Sequence, residues 1–188
     1  MSRKLSVTLL ALFLGCMLIS SCAEGEPEVT GEEKEITTLI LTFRNTDTGE
    51  TALFELFDND ADGPQSPIYL NDTLRVDASY ELTIQVLNEI VSPARDVTQD
   101  ILAAAEEHQF FFDPGNGLDL EFVYDDTDLN NNPIGIKALF FAGVASQGSF
   151  TVTLKQKVNK EADDVSDGDI SNAGGITDIQ ADFNVVIN

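Results

Sequence analysis

Six consecutive residues carry the sharpest chemical signal in this chain: Asp58-Asn59-Asp60-Ala61-Asp62-Gly63. Calcium takes about six to eight oxygen ligands, and alternate side chains on a tight turn converge on one point while glycine permits the bend. Asp at the first, third and fifth positions with Gly at the sixth matches the opening of an EF-hand-like loop. The match then fails. Tyr69 stands where the bidentate Glu is needed, and Pro64 and Pro67 interrupt the helix that should follow. An EF-hand is therefore excluded. Asp58, Asp60 and Asp62 remain candidate calcium ligands, completed from elsewhere in the chain, or they form an acidic turn between strands.

A second run, Asp125-Asp126-Thr127-Asp128-Leu129-Asn130-Asn131-Asn132, again places oxygens at alternate positions. Asp126, Asp128 and Asn130 are its candidate ligands, and it lacks the glycine. If both loops lie at one end of the fold they could share an ion. Asp163, Asp164, Asp167 and Asp169 around Gly168 read more simply as a solvated loop. His108 follows Glu106 and Glu107 and is the only histidine. Zinc takes about three or four ligands, usually nitrogen or sulfur. With no thiol to spare, a zinc or other transition-metal site here would need His108 with Glu106, Glu107 or a distant Asp. The competing reading is a polar residue at a helix C-terminus, where partial negative charge favours it.

Catalytic patterns are missing. The chain has no nucleophile elbow, no His-Glu-x-x-His and no P-loop. The expectation is a non-enzymatic protein, although carboxylate pairs that meet only in space would escape this reading.

Cys22 carries a different chemistry. Residues 1–21 begin with Arg3 and Lys4, continue through an apolar run over residues 5–19, and end in Ile19-Ser20-Ser21-Cys22. The run is shorter than the roughly 20 residues that span a bilayer. A basic start, an apolar centre and small residues before the break describe a cleaved signal. A cysteine at that break reads as the acceptor of a lipoprotein's diacylglyceryl group, so the expectation is lipidation at Cys22. Cys16 would leave too short an apolar core. Residues 22–35 are polar and acidic, cannot bury apolar surface, and read as a flexible tether. Extended, they reach about 40 Å. The acids just after Cys22 resemble the export signal of Bacteroidota surface lipoproteins, which implies display on the cell surface. A plain linker on a periplasm-facing lipoprotein is the alternative.

The chain carries 33 acidic and 10 basic residues, a net charge of −23. Arg3 and Lys4 leave with the signal, so the rest is more acidic still. That field opposes nucleic acid and anionic headgroups and favours cations. Apart from the two cysteines at positions 16 and 22 there is no sulfur for a disulfide, so the core must hold the fold unaided.

The elements that position these residues follow a period of two. Leu39, Leu41 and Phe43 alternate with Thr38 and Thr42, then Asn45-Thr46-Asp47-Thr48-Gly49 offers turn chemistry and Leu53 and Phe57 mark a return strand. This predicts a β-hairpin. Strands are also predicted at Tyr80 to Val86, Phe110 to Phe112, residues 118–124, residues 136–145, Phe150 to Leu154 and Ile179 to Ile187. One wet and one dry face per strand is the mark of antiparallel sheets. Residues 96–108 break the pattern: Ile101, Leu102 and Ala105 have helical spacing, and Asp96 with Gln99 resembles a capping box. This single short helix is expected to cover one face of Phe110-Phe111-Phe112. Residues 36–188 therefore read as one domain, mainly β: an immunoglobulin-like antiparallel β-sandwich of about 7–9 strands with one short helix. A small open barrel is the alternative.

Ile36-Thr37-Thr38-Leu39, Asp58-Asn59-Asp60, Glu106-Glu107-His108-Gln109-Phe110-Phe111, Asn132-Pro133-Ile134-Gly135 and Asn172-Ala173-Gly174-Gly175-Ile176-Thr177-Asp178-Ile179 follow one another in the chain. Together they resemble a group of small Bacteroidota lipoproteins, over nearly all of residues 36–188. Members are often labelled "type 1 periplasmic binding fold superfamily protein". A fold of that name is a two-lobed α/β structure about twice as long, whereas this chain has almost no βα alternation. For function, the resemblance implies an accessory lipoprotein near an outer-membrane TonB-dependent receptor, in a metal-uptake setting. The expectation is thus a lipid-anchored binding or accessory module at the outer membrane. A structural, adhesin-like surface lipoprotein with no small ligand is the alternative.

Overall fold

The computed structural model describes residues 35–60 and 64–188. The described residues form one compact unit. Eleven strands build it: β1 (Thr38–Asn45), β2 (Thr51–Phe57), β3 (Ile68–Leu70), β4 (Thr73–Leu74), β5 (Ala78–Asn88), β6 (Arg95–Asp96), β7 (His108–Pro114), β8 (Leu120–Tyr124), β9 (Lys137–Ala142), β10 (Ser146–Gln156) and β11 (Ile176–Ile187). Helix α1 (Thr98–Ala103) lies between β6 and β7. One sheet runs β3-β2-β1-β5-β9-β8, with β6 paired to β5; the other runs β4-β11-β10-β7. All pairs among the described residues are antiparallel except β4 on β11. The fold is a mainly-β sandwich, as the period-two pattern predicts.

The predicted hairpin forms, with Arg44 opposite Thr51. Its turn is held by the Asn45 carboxamide oxygen, which accepts from the N–H groups of Asp47 and Thr48 at 3.0 and 2.9 Å. The strand count exceeds the expected range because β3, β4 and β6 are only two or three residues long. Elements that short have no period to read.

The dry faces meet in an aromatic interior. Leu39, Leu41, Phe43, Phe54, Leu82, Ile84 and Phe140 come from one sheet, and Phe110, Phe150, Val152, Leu154 and Phe183 from the other. Phe43 contacts Phe54, Tyr80, Phe140 and Phe150 edge-on, with centroids 5.1–6.3 Å apart. Burying each such side chain stabilises the fold by roughly 1.5–3 kcal/mol.

Three expectations at the helix need correction. The helix is shorter than predicted: α1 ends at Ala103, a 3-10 turn covers Ala105–Glu107, and His108 already belongs to β7. The expected capping box does not form: the N-cap is Val97, which makes no side-chain cap bond, and Asp96, one residue earlier, accepts through Oδ1 from Thr98 N at 3.0 Å. The helix also does not cover the outer face of β7. Val97 and Ile101 turn into the main core with Phe110 and Phe112. Phe111 faces the other way, into a separate cluster with Val158, Val165 and Ala173. The segment joining β10 to β11 is therefore the lid on β7.

The edges of the sandwich are closed by specific groups. On one side, Phe110 N–H donates to Ile134 O at 2.7 Å, and the Tyr124 hydroxyl donates to Phe110 O at 2.8 Å. These bonds stitch β7 to the segment beyond β8. On the other side the chain crosses between sheets at Asn71-Asp72. Asn71 Oδ1 accepts from Asn184 N on β11 at 3.0 Å, and Asp72 Oδ2 accepts from Leu53 N on β2 at 3.3 Å.

Gly135 lies in the stitched segment, at φ +83°. A Cβ there would sit 2.9 Å from both Phe110 Cβ and Phe110 O. Gly174, at φ +61°, has nothing within 4 Å of its would-be Cβ. Gly174→Ala should therefore cost about 1–2 kcal/mol, from the left-handed backbone alone. Gly135→Ala should cost about 1–3 kcal/mol more, because the overlap forces β7 outward. Urea midpoints of the two variants measure the difference.

Candidate functional site

The carboxylate loops leave the same end of the sandwich. β2 ends there before residues 58–67, and β8 ends there before residues 125–136. Between β2 and β8 stand β1, β5 and β9. At about 4.8 Å per strand interval, the two loops spring from points about 19 Å apart. Each calcium–oxygen contact spans only about 2.3–2.6 Å. The loops share an end but are rooted far apart.

Residues 125–132 are organised by their own carboxylates. Asp126 Oδ1 accepts from Gly135 N at 2.7 Å and Oδ2 from Lys137 N at 2.9 Å. Asp128 Oδ1 accepts from the N–H groups of Asn130 and Asn132, both at 2.9 Å. Its Oδ2 accepts from Lys160 Nζ at 3.0 Å, and the two side chains are only 1% and 3% exposed. Lys160 donates also to Ala105 O at 2.7 Å and Pro133 O at 2.8 Å. An ammonium has three protons, and here each has an acceptor. The pair thus ties together the 3-10 turn after α1, the loop after β8 and the segment after β10. Asn130 contributes its backbone N–H, and the residue is exposed.

Burial sets the protonation balance of this end. It pushes the Asp126 carboxyl up, and the N–H groups of Gly135 and Lys137 only partly offset it. Burial also pushes Asp128 up, but the Asn132 N–H and the Lys160 ammonium outweigh it and hold the group below the usual carboxylate range. Desolvation lowers Lys160, with Asp128 opposing. Tyr124 is pushed well above the ordinary phenol range by burial, against a hydrogen bond from Gln109. Gln109, fully buried, donates to Val165 O at 2.9 Å and so anchors the lid over Phe111.

In the other acidic loop, Asp58 Oδ1 accepts from Asp60 N at 3.3 Å, and Asp60 Oδ2 accepts from Gln65 N at 3.1 Å. Asp60 Oδ1 is buried with no hydrogen-bond partner among the described residues. Cys22 and Asp62 lie outside the described residues.

His108 is buried, and Glu106 and Glu107 are exposed on the 3-10 turn. Its Nδ1 lies 2.8 Å from Ala104 O. A carbonyl can only accept, so this nitrogen carries the hydrogen. Nε2 lies 3.8 Å from Asp178 Oδ2. His108 itself opens β7, and its ring reaches back to the carbonyl at the end of α1. The pairings of Asp178 and of Gln109 carry no sequence signal, since each finds its partner far away in the chain. Among the described residues, no three His, Cys, Asp or Glu side chains gather into a group able to hold a metal. His108, Glu106 and Glu107 are thus not brought together.

At the opposite end lies an open pocket of about 380 Å³, walled by Asn45, Glu50, Asp72, Arg75 and Tyr80. Arg75 meets Glu50 across it at 2.8 Å, and Arg75 N donates to the Tyr80 hydroxyl at 2.7 Å. Both charged side chains are more than half exposed, so the ion pair itself contributes little.

No protein-family model, no curated protein and no solved structure matches this chain.

Asp128→Asn should cost about 3–5 kcal/mol, because it leaves the Lys160 ammonium buried without its counter-charge. Lys160→Met should cost a similar amount. The double variant should cost clearly less than the sum, as expected for groups acting as one unit. Denaturant melts of the four proteins give the coupling energy. The sign with pH follows from the lowered Asp128 value. Its contribution is full above the unfolded carboxylate range near about 3.9 and is lost as pH falls through the lower folded value. Asp126, raised by burial, works in the opposite direction. Acid titration of Asp128→Asn should therefore lack the steepest low-pH loss seen in the parent.

Proposed function

We propose that this chain is a non-enzymatic, lipid-anchored binding module of the cell envelope. Cys22 holds it to the outer membrane, on the periplasmic face or at the cell surface. There it serves an uptake receptor of the TonB-dependent class as an accessory. The observation that carries the reading is the arrangement of the chain. A basic, apolar start ending in Ser-Ser-Cys is followed by an acidic stretch and then by one self-contained sandwich.

A cation belongs to the same reading. Of the acidic loops, residues 58–63 suit a hard cation best. Asp126 and Asp128 already give both oxygens to backbone N–H groups or to Lys160. Asp60 keeps a buried oxygen without a hydrogen bond among the described residues. Asp58, Asp60 and Asp62 would be the protein ligands, and calcium the metal that matches their oxygens. A bound ion would stiffen the loop beside β2 rather than take part in chemistry.

Two measurements test the two halves. Metabolic labelling with a radiolabelled fatty acid should mark the parent and not Cys22→Ser; equal labelling removes the anchor. Calcium at about a hundredfold its Kd should stabilise the soluble domain by about 2.7 kcal/mol. At this size that is a rise in Tm of about 5–10 °C. Asp60→Asn should abolish the rise. A Tm indifferent to calcium, zinc and chelator would sink the cation half and leave a structural surface protein.

A further inference from the structure

We propose that one corner of the seven-stranded sheet's outer face is a docking surface for a protein that presents apolar side chains between lysines or arginines. The inference rests on the tethered-accessory reading and names the surface that reading requires.

The register defines the corner. Ile68 lies opposite Phe57, Phe57 opposite Thr38, and Thr38 opposite Leu87. In the adjacent outward row, Leu70 lies opposite Glu55, and Glu55 opposite Ile40. The intervening residues Leu39, Leu41 and Leu56 belong to the core. Strand alternation then sends Ile68, Phe57, Leu87, Leu70 and Ile40 to the outer face. An outer face with water on it should be polar. Beyond these rows it is mixed: Thr42 stands between Leu53 and Thr83, Arg44 beside Glu81, and Val123 beside Leu139. Ile68 is 66% exposed and Leu70 50%. Single exposed apolar residues are ordinary, whereas adjoining ones at a sheet corner mark a contact.

Charge selects the occupant. Glu55 stands within the second row, and Glu89 takes the hydroxyl hydrogen of Thr38. Neither row contains a lysine or arginine. Arg95, on β6, meets Asp100 at 2.7 Å. A second copy would bring the same acids and a net charge of −23, and anionic headgroups would also be repelled. A heterologous protein with a basic rim is the complement. β3 has only three residues, so side chains rather than strand pairing would carry the contact. The chain feeds β1 at Thr38, inside the first row, so a lipid on Cys22 would keep the corner within about 55 Å of the membrane.

The test places benzoylphenylalanine at position 68 or 70 of the full-length lipoprotein in its native envelope, and at Val123 as the exposed apolar control on β8. Irradiation should give one discrete protein adduct from positions 68 and 70. Its yield should be at least about tenfold above that at 123. Glu55→Lys combined with either probe should reduce it about tenfold, as should raised salt, if opposite charge holds the partner. Adducts to lipid alone, or to a second copy alone, overturn the proposal. So do equal yields at all three positions, an adduct indifferent to Glu55→Lys, or none. Detergent-phase partition of the same samples reads the anchor separately. Partition kept without an adduct overturns the docking surface only; an adduct kept without partition overturns the anchor only.

Discussion

A two-sheet sandwich has edges, and every buried N–H and C=O along them needs a partner. That constraint shapes most of what is particular to this domain. At Phe110 the backbone N–H and C=O are satisfied by Ile134 O and the Tyr124 hydroxyl. The side chains of Asn71 and Asp72 do the corresponding work where the chain passes from β3 to β4. Neither closure uses a long strand, and no disulfide replaces them. The aromatic interior supplies the driving force, and these few polar groups decide where each sheet stops.

Closing β7 has a consequence at the loop end. Phe111 must be covered, and the segment between β10 and β11 covers it with Val158, Val165 and Ala173. That segment also carries Lys160, whose ammonium is buried. A buried charge costs several kcal/mol unless it is paired and fully hydrogen-bonded. Asp128, Ala105 O and Pro133 O meet that demand. Their geometry in turn fixes the loop after β8. The pair is better understood as a device for holding three segments in one arrangement than as a source of net stability. It also explains why the acids of residues 125–132 differ from those of residues 58–60. The former are turned into the protein as backbone acceptors. The latter accept from N–H groups of their own loop, at Asp60 and Gln65.

Legibility in the sequence followed length and periodicity. β1, β5, β10 and β11 are readable because seven or more residues expose an alternation that burial imposes; β2 is readable as a strand, but its dry face is Ala52, Phe54 and Leu56, not the side of Leu53 and Phe57. β3, β4 and β6 are not readable, because two or three residues show no period. The helix was overextended because Ala104 to Glu107 have helix-forming side chains, while the backbone passes through a 3-10 turn and enters β7 at His108. The helix nearest Phe111 in sequence is α1, whereas a segment about fifty residues later covers it. Asp126 and Asp128 illustrate the same limit. Alternate carboxylates read as ligand geometry, yet the same spacing serves a loop that folds back on its own N–H groups.

By itself the sequence determined antiparallel strands with one dry face each, because a period of two buries every second side chain; that they stack as two sheets rather than close as a small barrel was decided by the tertiary structure. The sequence also determined the strong anionic field and the lack of any disulfide to hold the core. Tertiary structure alone decided which acids face inward and which outer-face residues adjoin. Those facts depend on strand order and register, which bring Ile68 beside Phe57 and Lys160 beside Asp128 across 11 and 32 residues of chain. No local pattern encodes such distances, since a side chain's partner is set by what the folded sheets place opposite it.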